Sequence, residues 1–173
     1  LFVRYGGEWD KAENIPLFYK DFDQVSADIL TSLDADYSKI RAKIRMKYPN
    51  KKFSKMQNYL RQDRYTNKTE EYTVLESFLE SKTLGAIKAP TVKTKRGTWK
   101  IDTDHRFFTD DIHYGLCIAK WAAERFRIDV PTIDKIINWA QKLRKEELLK
   151  DGELLLGSAD LNKRFKSGIP HFY

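Results

Sequence analysis

From residue 112 onward the apolar residues recur with a helical period. Ile112, Leu116, Ala119, Ala123 and Phe126 step by four, three, four and three, which sets them along one face of an α-helix and is incompatible with the two-residue period of a strand. The series runs out at Asp129 and Pro131. Pro131 and Thr132 then start a second helix, in which Ile133, Ile136, Ile137, Ala140 and Leu143 point one way before Gly152 ends the region. Helices of this length are marginal alone in water, so these stripes must bury against other helices.

Upstream the same logic gives further helices. After residues 1 to 22, where aromatics, Gly6, Gly7 and Pro16 read as extended segments and turns, Asp23 is placed to cap a run carrying Val25, Ile29 and Leu33. Asp34 is placed to cap a second run with Tyr37, Ile40 and Ile44, giving two helices or one bent helix that ends before Pro49. Ser54 caps a short helix with Met56 and Leu60 on one face, and Thr69 opens another, with Tyr72, Leu75, Phe78 and Leu79 inward and Glu70 and Glu71 at its positive end. Between Leu84 and Asp104 the period changes, and "TVKTKRGTWKI" alternates about Arg96 and Gly97 as a small hairpin or irregular loop. The expected fold class is all-α and multi-helical, as a single domain over residues 1–173.

Composition narrows the chemistry. A chain of 173 residues is long enough for a proper core, since a domain of this size buries roughly 70% of its unfolded surface. Its one cysteine, Cys117, excludes an internal disulfide and fits a reducing, cytoplasmic setting, and its apolar surroundings read as packing rather than nucleophilic chemistry. No run approaches the roughly 18 apolar residues of a membrane span, so no membrane partner is expected. The net charge of +7 favours anionic partners without choosing among them. The basic stretch "KIRMKYPNKKFSK", residues 43 to 55, reads as a solvated helix end and loop, because its charges do not extend into a groove-like series, so no nucleic acid is expected; the alternative is a basic helical binding module for nucleic acid or an anionic protein partner.

Several chemistries lack their residues. The eight glycines never form the Gly-x-Gly-x-x-Gly fingerprint or a phosphate-binding loop, so no cofactor-binding residues are assigned to this chain. No zinc-protease or nucleophile-elbow motif occurs, and the set Asp102, Asp104, His105, Asp110, Asp111 and His113 has no known ligand spacing, so no metal site is expected. What remains is "HRFFTDDIHYGL", residues 105 to 116. If Thr109 caps a helix, Asp110 and Asp111 fall in its first turn, where free N–H groups and the dipole keep carboxylates ionised. That arrangement stabilises a helix whatever else it does. With Arg106 on the approach, it also suits recognition of a small organic acid, the guanidinium gripping a carboxylate with two hydrogen bonds. Neither His105 nor His113 is spaced to pair with Asp111.

The segment "RFFTDDIHYGL" (106 to 116) resembles the octopine/opine dehydrogenase motif: Arg, aromatic, apolar, Thr, acidic, Asp, Ile or Val, Pro, any residue, Gly, Leu. "VPTIDKIINWAQKL" (130 to 143) is similar to the segment that follows it in that family, "GAIKAPT" (85 to 91) to the loop before it, and "GGEWDKAENIPLFYKDFD" (6 to 23) to the start of the family's helical domain.

The resemblance implies a C-terminal helical substrate domain like those of opine and 6-phosphogluconate dehydrogenases. Its N-terminal Rossmann partner, which binds NAD or NADP, would lie outside this chain, in keeping with the opening "LFVRYGGEWD" that reads as a cut from something longer. It implies reductive condensation of a 2-oxo acid with an amino acid, with Asp111 as the aspartate of a catalytic His-Asp pair and Arg106 as the residue that holds a substrate carboxylate. The histidine of that pair is implied to precede Leu1, because residues 1 to 104 contain none. A homodimer is left open. His113 stands where the family commonly has proline, a departure that bears on substrate identity.

Overall fold

The computed structural model describes residues 7–52, 58–69, 72–80 and 85–155. They are mostly helical, with short strands, and the chain forms two compact units: residues 1–32 with 57–102, and residues 33–56 with 103–173.

In the first unit a three-stranded antiparallel sheet has the order β1-β3-β2, with β1 Glu8–Trp9, β2 Thr91–Lys93 and β3 Trp99–Ile101. The alternation about Gly97 is thus a hairpin, pairing Lys93 with Trp99 and Thr91 with Ile101. Trp9 and Ile101 are buried in its core with Ile15, Ala27, Leu60 and Ala89. Gly7 sits at φ +72°, and a Cβ there would lie 2.8 Å from Ile101 Cδ1, so the residue answers both a backbone and a space requirement. Phe78 stacks on Tyr19 and Phe22, with ring centroids 5.7 and 4.6 Å apart.

Helix α1, Gln24–Lys47, starts as expected, with Asp23 Oδ1 accepting from the Ser26 N–H at 2.8 Å. It then runs unbroken through Asp34, correcting the reading of Asp34 as a second cap. Asp34 instead accepts from Arg41 at 3.3 Å, so its carboxylate is engaged by a side chain and does not compete with the helix backbone. Val25, expected on the inner face, is 63% exposed.

Helix α2, Tyr59–Asn67, is capped by Asn58, whose side chain accepts from the Arg61 N–H at 2.8 Å. Ser54 and Met56 lie outside the described residues, as do Glu70 and Glu71. Helix α3, Val74–Leu79, opens at Thr73, where Thr73 and Glu76 form a reciprocal capping box. Thr69, expected as the cap, instead shares a buried hydrogen bond of 2.6 Å with the Ser77 hydroxyl. Tyr72 is an exposed residue preceding the helix.

The second unit holds α4 Arg106–Thr109, a π-helical turn Asp111–Leu116, α5 Cys117–Phe126 and α6 Pro131–Arg144. Ile112, Leu116, Ala119, Ala123, Ile133, Ile137 and Ala140 enter one buried cluster, as their spacing predicts, together with Val130 and Leu148. Each fully buried isoleucine contributes about 2 kcal/mol through lost apolar surface. Leu143 is exposed at the end of its stripe. Beyond α6 a hairpin pairs β4 Leu149–Lys150 with β5 Glu153–Leu154. The Asp151-Gly152 turn that makes it, with φ of 52° and 81°, is the hairpin signal overlooked when Gly152 is taken only as a helix stop.

Candidate functional site

The segment 105–116 begins one turn earlier than its sequence suggests. His105, not Thr109, is the cap: its Nδ1 accepts from the Phe107 N–H at 3.3 Å, and α4 starts at Arg106. Phe108 points inward and meets Trp139, with ring centroids 5.7 Å apart. Thr109 merely donates its hydroxyl to Asp110 Oδ1 at 3.1 Å. The Asp110 N–H is already bonded to the Arg106 carbonyl at 2.8 Å, so the two aspartates do not face the free N–H groups of a first turn. After Asp110 the helix widens: the Asp110 carbonyl accepts from both the Tyr114 N–H at 2.8 Å and the Gly115 N–H at 3.1 Å, the signature of a π-turn.

This placement removes the helix-end stabilisation expected for Asp111. Without a helix end to stabilise it, its carboxyl is governed first by packing that strips part of its hydration, which raises the pKa. The Arg106 guanidinium pulls it down, Asp110 pushes it up and His105 pulls it down, and the sum lies above the ordinary aspartate value. The same interactions show that Arg106 and Asp111, both exposed, lie within electrostatic reach of one another. Arg106 rests over the Phe107 ring, 5.9 Å from its centroid. Among the described residues neither Arg106 nor Asp111 makes an ion pair, whereas the Arg41 and Arg144 guanidiniums are held by carboxylates.

Tyr37, on α1, whose spacing marks it only as a core residue, is a neighbour of Asp111. Burial first, and the Asp111 carboxylate second, push its phenol up to about 12, so it remains a hydrogen-bond donor at any ordinary pH. Nothing in its helical spacing separates it from the packing residues beside it.

His113 turns inward. It is 3% exposed, and its Nε2 lies 2.9 Å from Glu146 Oε2. Glu146 and its partner Arg144 were not singled out by sequence, since a charged pair just after a helix reads as solvated surface. Cys117 is buried, and burial, with the Glu146 charge second, raises its thiol to about 12; it is a packing residue. Among the described residues no three His, Cys, Asp or Glu side chains gather to hold a metal ion, and no helix is long and apolar enough to cross a membrane. In the basic stretch, Lys43, Arg45, Lys47, Lys51 and Lys52 are exposed around the end of α1, and Lys47 lies over the Phe126 ring, 5.3 Å from its centroid. Phe53 and Lys55 fall outside the described residues.

Residues 5–144 match the family model for the alpha-helical domain of NAD/NADP octopine/nopaline dehydrogenase. The chain is 31% identical over 154 residues to tauropine dehydrogenase of Arabella iricolor, a match covering 84% of this chain and 38% of that protein. It is 29% identical over 160 residues to octopine dehydrogenase of Pecten maximus, covering 89% and 39% respectively. The chain therefore spans about two fifths of the length of these curated relatives. Among solved structures, octopine dehydrogenase with NADH and L-arginine aligns with a TM-score of 0.75 and 23% identity over 100% of this chain and 46% of that one. The same enzyme with NADH and agmatine gives 0.73 and 23%, over 92% and 43%. At that identity the structural likeness is one of fold.

Proposed function

From the premise that this chain belongs to the NAD/NADP octopine/nopaline dehydrogenase family through its alpha-helical domain, we propose that it is the substrate-binding helical domain of an opine-type dehydrogenase. The reaction is the reductive condensation of a 2-oxo acid with an amino acid. NAD(P)H supplies the hydride when bound, and the residues here do not fit that group. The described glycines at positive φ, Gly7, Gly97 and Gly152, lie before or between short strands and none opens a helix, where a pyrophosphate would need them. On this reading the dinucleotide is held by a separate domain of the intact protein.

The observation that carries the reading is the pair Arg106 and Asp111 on one continuous helical segment, mutually within electrostatic reach and unpaired among the described residues. Arg106 binds the carboxylate of the 2-oxo acid, orienting its carbonyl by a two-point contact that lysine cannot reproduce. Asp111 accepts a hydrogen bond from an imidazole contributed from outside this sequence. It fixes the tautomer of that imidazole and stabilises the imidazolium formed during proton transfer. A cytoplasmic setting suits the lone buried thiol, and the reading calls on no nucleic acid or membrane.

Steady-state kinetics on the intact protein test it. Arg106→Ala should raise KM for the 2-oxo acid, and Asp111→Asn should lower kcat, with kcat/KM falling on the order of 100-fold in each. Wild-type activity in Asp111→Asn would refute the assignment.

A further inference from the structure

One polar chain grips the Arg106–Asp111 segment from both sides. Downstream, His113 Nε2 meets Glu146 Oε2 at 2.9 Å. Glu146 Oε1 accepts from Arg144, whose Nε and Nη2 both lie 2.8 Å away. Upstream, Arg144 Nη1 donates to the Thr103 carbonyl and approaches the Asp104 carboxylate at 3.4 Å. A single guanidinium at the end of α6 thus fastens the backbone just ahead of the His105 cap. Through Glu146 it also fastens the imidazole just beyond Asp111.

We propose that His113, Glu146 and Arg144 are positioning residues, holding Arg106 and Asp111 in register for the chemistry assigned to them above; the inference rests on that assignment. Packing alone does not call for such a network. His113 is itself buried, as are Ile112 and Leu116 on the same turn, and an apolar side chain there would fill the space without needing a carboxylate partner. Buried polar chains of this kind favour one arrangement because each member, if displaced, leaves another unsatisfied. The turn they secure is itself uncommon. The double use of the Asp110 carbonyl by Tyr114 and Gly115 is a geometry that persists when its surroundings specify it. A displacement of about 1 Å in such a segment is enough to cost roughly 100-fold in rate. None of the three side chains needs to touch substrate for this to hold.

The test is a coupling measurement in the intact protein. His113→Leu should lower kcat by roughly 10- to 100-fold, while KM for the amino substrate changes little. His113→Gln, which keeps an N–H for Glu146, should recover most of the loss. In an Asp111→Asn background His113→Leu should have almost no further effect on kcat, because the group whose misplacement lowers kcat has already lost its function. Equal losses in both backgrounds would overturn the proposal, as would failure of His113→Gln to rescue. If His113→Leu does not fold, Glu146→Gln serves in the same cycle, preserving shape while weakening the grip.

A readout independent of turnover separates this inference from the functional one. The carboxyl titration of Asp111, followed by NMR, should move towards the ordinary aspartate range in His113→Leu as the loosened segment rehydrates. An unmoved titration counts against positioning even if the enzyme is active. Absence of turnover in the wild-type protein refutes the dehydrogenase reading and leaves the titration to decide this one.

Discussion

Glu146 shows how a single side chain comes to carry charge inside the protein. Burial pushes its pKa up, but hydrogen bonds from Arg144 and His113 and their charges outweigh it, so the carboxyl titrates below its ordinary range. A depressed folded value contributes stability that is fully present above the unfolded pKa of about 4.3 and is lost as the pH falls through the folded one. Glu146→Gln should therefore flatten the acid-side decline of Tm below about pH 4; an unchanged decline in thermal melts would show that the carboxylate is not held this way. Cys117 is the opposite case, with burial making its thiolate inaccessible. Alkylation of the native protein at pH 8 should run on the order of 100-fold slower than in urea, which mass spectrometry follows directly. Similar rates would mean that the thiol is open to solvent.

At the scale of elements, the helices owe their existence to local pattern, but the start of α6 is owed to a distant partner. Helix α6 has Pro131 in its first turn and no side-chain cap of its own. Its N–H groups at Thr132 and Ile133 are met by Asp36 Oδ2, at 2.8 and 3.3 Å, from the middle of α1. Asp36 is 2% exposed and also pairs with Lys39 at 2.9 Å. Asp36→Ala removes the cap and leaves buried donors unsatisfied, a loss of about 2 kcal/mol. Urea denaturation should show it as a lower midpoint with an unchanged slope, and a loss below about 0.5 kcal/mol would show that water replaces the carboxylate. The periodicity of α1 and α6 was legible in the sequence. This cap was not, because an aspartate within a helical run carries no mark of the helix it serves.

For the whole molecule, the family match spans residues 5–144 and so enters both compact units. If the dinucleotide is bound elsewhere in the intact protein, the purified 173-residue chain should leave NADH fluorescence unchanged even near 1 mM, the upper range of ordinary substrate constants. The intact protein should alter it well below that. Binding by the isolated chain would return the cofactor site to these residues and undo the division of labour proposed here.

The sequence by itself determined that helices dominate, most of the residues they bury, that the helical period breaks over residues 91 to 101, and the family to which the segment 106–116 points. These follow from periodicity, turn residues and motif, all written in neighbouring positions and enforced by the removal of apolar surface from water. Tertiary structure alone decided that the helix opens at His105, that it widens after Asp110, that His113 faces Glu146 and that Asp111 is harder to ionise. The cap and the widened turn are bonds between near neighbours that several local alternatives could have supplied, whereas the facing of His113 and the hydration of Asp111 depend on which polar partner or packed surface arrives from elsewhere in the chain.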